Sequence, residues 1–213
     1  MATTAGMVKS MVVKGAGAGS LKGMKCAEIC AAFDPEIKFG THGNMVGTKK
    51  KYQAEHIVPT AAFHKLGRGG AKMPGCSGYS TSGALTWMAR DGQNANQEHK
   101  LLTDPMRKFS QSNDLKDKKA PLKDWLKKYE EGAKDALKNA KPKRKIKRKD
   151  LNENDLIAAA AECIRQVAEE SFAKMKPPVE PDTELRNPWE ATKEQIKEAA
   201  QKATKKAKGN GAK

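Results

Sequence analysis

In Tyr52-Gln-Ala-Glu55-His56-Ile-Val-Pro59 a carboxylate stands directly beside an imidazole, and a further histidine follows in Gln97-Glu98-His99-Lys100. A carboxylate is a hard oxygen donor suited to Mg²⁺ or Mn²⁺, whereas imidazole suits later metals such as Zn²⁺. With an ordinary pKa near ~6.5, imidazole can also take a proton from water at neutral pH. The first stretch is β-prone and stops at Pro59. A strand sends successive side chains to opposite faces, so Glu55 and His56 converge on one metal–water unit only if the strand bends or ends there.

The elements that must position this pair are uneven in clarity. Met1 to Gly23 is rich in Gly, Ala and Lys and reads as a flexible arm. Lys25–Phe33 suits a short helix closed by Asp34-Pro35, and Thr60–Leu66 suits another. The connection between the histidines holds Gly67–Gly70 and Pro74–Gly78 loops, a segment of undefined type from Tyr79 to Trp87, and a polar turn at residues 91–96. Pro105 argues that the helix after it begins near Thr103 or Asp104, with His99 in the preceding turn. Leu122, Trp125, Leu126, Tyr129, Ala133 and Leu137 recur at helical steps within Pro121–Asn139. Leu156–Met175 is a second such helix, with Asn152 or Asn154 as its N-cap. Pro188-Trp189 opens a Lys/Glu/Ala helix running to about Lys208.

Charge narrows the partners. The 213 residues carry 41 Lys+Arg against 25 Asp+Glu, a net +16. Lys100–Lys149 alone contains 18 basic and 7 acidic residues. Such a field attracts polyanions, nucleic acid first among them. The densest run holds Lys141, Lys143, Arg144, Lys145, Lys147, Arg148 and Lys149. Runs of this kind are commonly solvated linkers, and they also suit binding to backbone phosphates without sequence readout. No stretch reaches the roughly 18–20 apolar residues of a membrane span, so no membrane insertion is expected. The N-terminus lacks the apolar core of a cleaved signal peptide. Four cysteines, Cys26, Cys30, Cys76 and Cys163, are too few and scattered for a disulfide scaffold. Buried thiols are the first reading, with a zinc site built from Cys26, Cys30, Cys76 and a histidine as the alternative.

The stretch from Tyr52 to Phe109 resembles the HNH/endonuclease VII superfamily, in particular nuclease toxin domains with a Glu-His…His…His pattern in bacterial polymorphic and type VI secretion toxins. The matching residues are Glu55-His56-Ile-Val-Pro59, Phe63-His64, Gly75-Cys-Ser-Gly-Tyr79, Ala84-Leu-Thr86 and Glu98-His99-Lys-Leu-Leu-Thr103, with Met106 and Phe109. They cover under a third of the chain. The resemblance implies an α+β fold, with a small ββα-metal core and a mostly helical, basic C-terminal extension. The expected division is an arm at residues 1–24, a nuclease core at 25–112, a helical extension at 113–176, and a Pro-rich connector with a terminal helix at 177–213.

By the same resemblance His56 is the general base, and Glu55 and His99 hold one divalent ion: Mg²⁺ first, Mn²⁺ or Zn²⁺ as alternatives. His64 is open between third ligand, phosphate donor and helix-surface residue. Asn96 occupies a place where such folds carry an asparagine that braces the loop or touches the metal, with Gln93 and Asn94 as lesser candidates. His42 lies well before the motif. The 43 positions separating His56 from His99 depart from the pattern by their length. DNA is the expected substrate, with RNA open. The implied partners are an acidic immunity protein and a secretion carrier or adaptor. The implied route runs from the producing bacterium's cytoplasm, through a contact-dependent machine, to the target cell's cytoplasm. A non-catalytic nucleic-acid binder and a phage or mobile-element nuclease are the competing readings.

Overall fold

Three small antiparallel sheets organise the β structure of the computed structural model, which describes residues 8–67, 69–90, 97–112, 115 and 119–190. The strands are β1 (Phe33–Asp34), β2 (Phe39–Thr41), β3 (Tyr52–His56), β4 (Leu85–Arg90), β5 (Lys119–Pro121), β6 (Lys145–Ile146) and β7 (Glu184–Arg186). The helices are α1 (Cys26–Ala31), α2 (His42–Met45), α3 (Glu98–Gln111), α4 (Leu122–Asn139) and α5 (Glu153–Ala173). One sheet has the order β2-β4-β3, and β1 pairs with β6 and β5 with β7. The class is therefore mixed α+β. Among the described residues no helix is long and apolar enough to cross a membrane.

β4 is the central strand, covered on both faces from Leu85 to Ala89. That removes the in–out alternation by which a half-exposed strand is recognised. Its register sets Trp87 opposite Glu55 and Thr86 opposite His56. The connection from β3 to β4 contributes a short 3₁₀ turn at Thr60–Phe63.

The amphipathic stripe of α4 buries Leu122, Trp125, Leu126, Tyr129, Ala133, Ala136 and Leu137. α3 crosses it closely at Gly132, where a Cβ would stand 2.5 Å from the Leu102 carbonyl oxygen. This is a contact only glycine permits. α5 is buried nearly all round, and the Asn152 side chain caps it by accepting the backbone N–H groups of Asn154 and Asp155 at 2.9 and 3.1 Å. One hydrophobic core runs from Val13 to Leu185, so residues 25–112 and 113–176 share an interior.

Three expectations are corrected. Residues 8–24 are not a free arm. Val13 and Leu21 are buried, and the buried Glu162 accepts the backbone N–H groups of Lys14 and Gly15 at 2.8 and 2.7 Å. α3 begins at Glu98, before Pro105 rather than with it. An interior proline costs about 3 kcal/mol, offset here by burial of Leu102 and Met106. The cysteines are not all thiols: Cys26 and Cys163 form a disulfide across 137 residues. That also removes Cys26 from the zinc alternative. The terminal helix expected beyond Pro188 lies outside the described residues from 191 onward.

Cys30 and Cys76 remain as buried thiols. Burial pushes the Cys30 thiol up to about 12, with Glu36 adding to the effect, and the Cys76 thiol up to about 11. Only the thiolate is nucleophilic, so at pH 8 the reactive fraction is on the order of 10⁻³ or less. Iodoacetamide at pH 8 should leave the folded protein unmodified by mass spectrometry, whereas denaturation without reductant should yield two adducts. Cys163→Ala should lower the free energy of unfolding in urea by about 2–5 kcal/mol, because the disulfide closes a long loop. Reductant should bring the unaltered protein to the same value.

Candidate functional site

β3 ends at His56, and the chain bends at Ile57 and Val58. That bend lets neighbouring residues, which a longer strand would hold on opposite faces, line one pocket. The pocket, of about 180 Å³, is bounded by Gln53, Glu55 and His56 from β3, Pro59 after it, His99, Thr103 and Arg107 from α3, and Trp189. Two antiparallel strands and the next helix thus bring together residues 43 positions apart.

Glu55 Oε2 lies 2.6 Å from His99 Nδ1. The Gln53 amide nitrogen is 3.2 Å from both. At 2.6 Å the carboxylate must be accepting a proton-mediated bond, so His99 Nδ1–H donates to Glu55. Gln53 then donates to the same carboxylate oxygen, and its nearness to Nδ1 is packing. Glu55 is 4% exposed, so this pairing compensates a carboxylate held almost out of water.

His56 is oriented from two sides. Its Nε2 is 3.2 Å from the Thr81 carbonyl oxygen, and its ring stacks on His42 at 4.2 Å between centroids. A carbonyl only accepts, so Nε2 carries a hydrogen, and in the neutral ring the basic lone pair is that of Nδ1. His42 is itself held by its backbone N–H, which donates to the Ala84 carbonyl at 2.9 Å. An imidazole whose tautomer is fixed through one nitrogen suits proton transfer through the other.

Glu55 and His99 suit a divalent ion by donor chemistry: one carboxylate oxygen and one imidazole nitrogen, from separate elements, already converge. Mg²⁺ in particular is commonly held by one or two carboxylates, with water and substrate phosphates completing its shell. Metal uptake would displace the proton that the two now share. Among the described residues no group of three or more His, Cys, Asp or Glu side chains gathers around a metal position.

The other candidates fall elsewhere. His64 is buried, its Nδ1 lies 3.0 Å from the Thr60 carbonyl oxygen, and its ring meets Tyr79 edge-on. It does not line the pocket. Asn96, Gln93 and Asn94 lie outside the described residues. Arg144 is withdrawn from the basic surface. Its side chain is 1% exposed and pairs with Glu98, which is fully buried, through Nε at 2.6 Å and Nη2 at 2.7 Å. It also donates to the carbonyls of Met88 and Pro35, each at 2.7 Å. Lys141, Lys143, Lys145, Lys147, Arg148 and Lys149 are exposed. Lys143 pairs with Glu153 and Arg148 with Asp150, leaving four lysines without an ion pair to a described carboxylate.

Gln53, Thr103 and Arg107 also belong to the pocket. Gln53 precedes Glu55 by two on the same strand face, and Thr103 and Arg107 follow His99 at helical steps of four, so periodicity could have found them. His42 is a minor candidate by residue type with nothing local to place it against His56, and Thr81 and Trp189 arrive from distant segments and left no local signal. Comparison with protein-family models, with curated proteins and with solved structures gives no match.

Removing one partner of a buried, fully bonded ion pair strands the other, at about 3–5 kcal/mol. Arg144→Met should lower the free energy of unfolding in urea by that amount. Lys147→Met, at an exposed position of the same run, should stay within about 0.5 kcal/mol of the unaltered protein.

Proposed function

We propose that this chain is a metal-dependent endonuclease, which hydrolyses DNA phosphodiester bonds with little sequence specificity on a ββα-metal core of the HNH/endonuclease VII kind. The observation that carries the reading is the meeting of Glu55, His56 and His99 in one pocket between β3, which pairs with β4, and the helix α3.

In this reading His56 is the general base. Thr81 and His42 fix its ring, and Nδ1 takes the proton of the attacking water. Glu55 and His99 would hold the divalent ion, Mg²⁺ first and Mn²⁺ or Zn²⁺ as alternatives. When bound, the ion supplies positive charge at the scissile phosphate and its leaving oxygen. Gln53 steadies the Glu55 carboxylate, and Thr103 and Arg107 offer an O–H and a cationic N–H donor along the same wall. Orientation of this sort supplies much of a hydrolytic rate. The exposed lysines at 141, 145, 147 and 149 hold backbone phosphates without reading bases, which accounts for low sequence specificity.

The biological role we propose is that of an antibacterial toxin effector, delivered to rival cells and countered in the producer by a cognate immunity protein. A surface this basic calls for an acidic inhibitor, since complementary charge speeds encounter.

Supercoiled plasmid with Mg²⁺, Mn²⁺ or Zn²⁺ tests the enzyme. Nicking is expected with metal and not with EDTA, and His56→Ala should lose at least about 10²-fold in rate while its DNA affinity stays unchanged. Salt-sensitive DNA binding without cleavage under any of the three metals would favour a non-catalytic binder instead.

A further inference from the structure

The pocket continues into a wall from which the hydrolytic chemistry takes only the Arg107 donor. It is formed by Arg107 and Trp189. His99, Thr103 and Arg107 form one stripe along α3, with Arg107 about 12 Å along the axis from His99. Arg107 is exposed, and its guanidinium lies 5.7 Å from the centre of the Trp189 ring. It makes no ion pair with a described carboxylate. The ring contact therefore fixes the cation without neutralising it.

Trp189 is held in place by the segment before it. β7 pairs with β5, the Asn187 side-chain amide donates to the Ser110 carbonyl at 2.9 Å, and Asn187 Oδ1 accepts the Trp189 backbone N–H at 2.9 Å. Its ring touches the core near Trp125, at 6.3 Å between centroids. Packing accounts for that side only. The chain has three tryptophans; Trp87 and Trp125 are 0% exposed, and Trp189 is partly exposed at the lip of a polar, cationic pocket.

We propose that Trp189 and Arg107 form a nucleotide subsite, the indole stacking one base of an unpaired DNA strand and the guanidinium taking the adjoining phosphate. The proposal rests on the nuclease reading and sharpens its substrate class to single-stranded or locally unpaired DNA. A base within a duplex has both faces covered by its neighbours, so a side chain can stack on it only after it leaves the helix. One aromatic platform changes single-strand affinity by about 5- to 100-fold per base. The position of this wall beside the hydrolytic residues puts the stacked base next to the bond to be cut.

Because two of the three tryptophans are buried, fluorescence quenching by DNA reports on Trp189. The full chain is titrated in EDTA with a 12-nucleotide single strand and with a 12-base-pair duplex. The single strand should quench the fluorescence and bind more tightly. Trp189→Leu should weaken single-strand binding by about 5- to 100-fold and leave duplex binding within about twofold. Trp189→Phe should retain most of the affinity, and Arg107→Gln should reduce the salt slope by about one. Circular dichroism melting of each variant checks its fold, and if Trp189→Leu does not fold, quenching of the unaltered protein and the affinity of Trp189→Phe decide. A duplex preference without quenching, or single-strand affinity unmoved in Trp189→Leu, overturns the subsite. If plasmid is still nicked in that case, the nuclease reading stands. Absence of any DNA binding or cleavage overturns both.

Discussion

A carboxylate and a guanidinium can be taken out of water together only if each of their hydrogen-bonding positions finds a partner. Glu98 and Arg144 meet that condition. The carboxylate accepts two bonds from the guanidinium and the backbone N–H of Arg90, while the guanidinium also reaches carbonyls of Met88, Pro35 and Glu36. Trp87 lies against it at 5.2 Å from its centroid. The first turn of α3, the end of β4, the turn after β1 and the basic segment therefore meet at one buried charge pair. Glu98 is the residue before His99, so whatever fixes Glu98 also fixes where His99 enters the pocket. The basic run is consequently a part of the fold with one residue turned inward, and its remaining members are presented outward from a fixed base.

The interior beneath the pocket is polar in a controlled way. Trp87 donates to the Tyr129 hydroxyl at 2.6 Å, and burial together with the nearby Glu55 and Glu98 charges holds that phenol far above its ordinary range. It stays a neutral dipole at any physiological pH. A site built over such a floor keeps its few charges where they are paired or face the pocket, and a low-dielectric surround strengthens what they do.

Much of this was legible in the sequence. α4 and α5 announced themselves by their apolar period, and the cap of α5 was narrowed to Asn152 or Asn154, of which the fold uses Asn152. Glu55 and His56 stood out as a carboxylate beside an imidazole on a run ending at Pro59, and His99 as the histidine that follows the polar turn. β4 escaped because a strand covered on both faces has no alternation. The start of α3 was displaced by Pro105, whose cost is outweighed by tertiary burial. Composition could not tell which of seven basic residues near 145 would be buried, because that depends on a carboxylate 46 positions away. The segment before α1 looked like linker because its residues are small, yet Val13 and Leu21 are enough to anchor it. Two cysteines 137 positions apart carry no signal of their pairing until the fold brings them together.

That disulfide has a consequence for proteolysis. The loop it closes contains His42, Glu55, His56, His99, Arg107 and Arg144. A protease that cuts the chain once anywhere inside it, for instance in the long connection from β3 to β4, leaves both fragments in one covalent molecule. The strand carrying Glu55 and the helix carrying His99 are then separated by a reductant and a protease acting together, and by neither alone. Trp189 lies beyond Cys163, outside the loop. Trimming from the C-terminus removes the indole while Glu55, His56 and His99 remain enclosed.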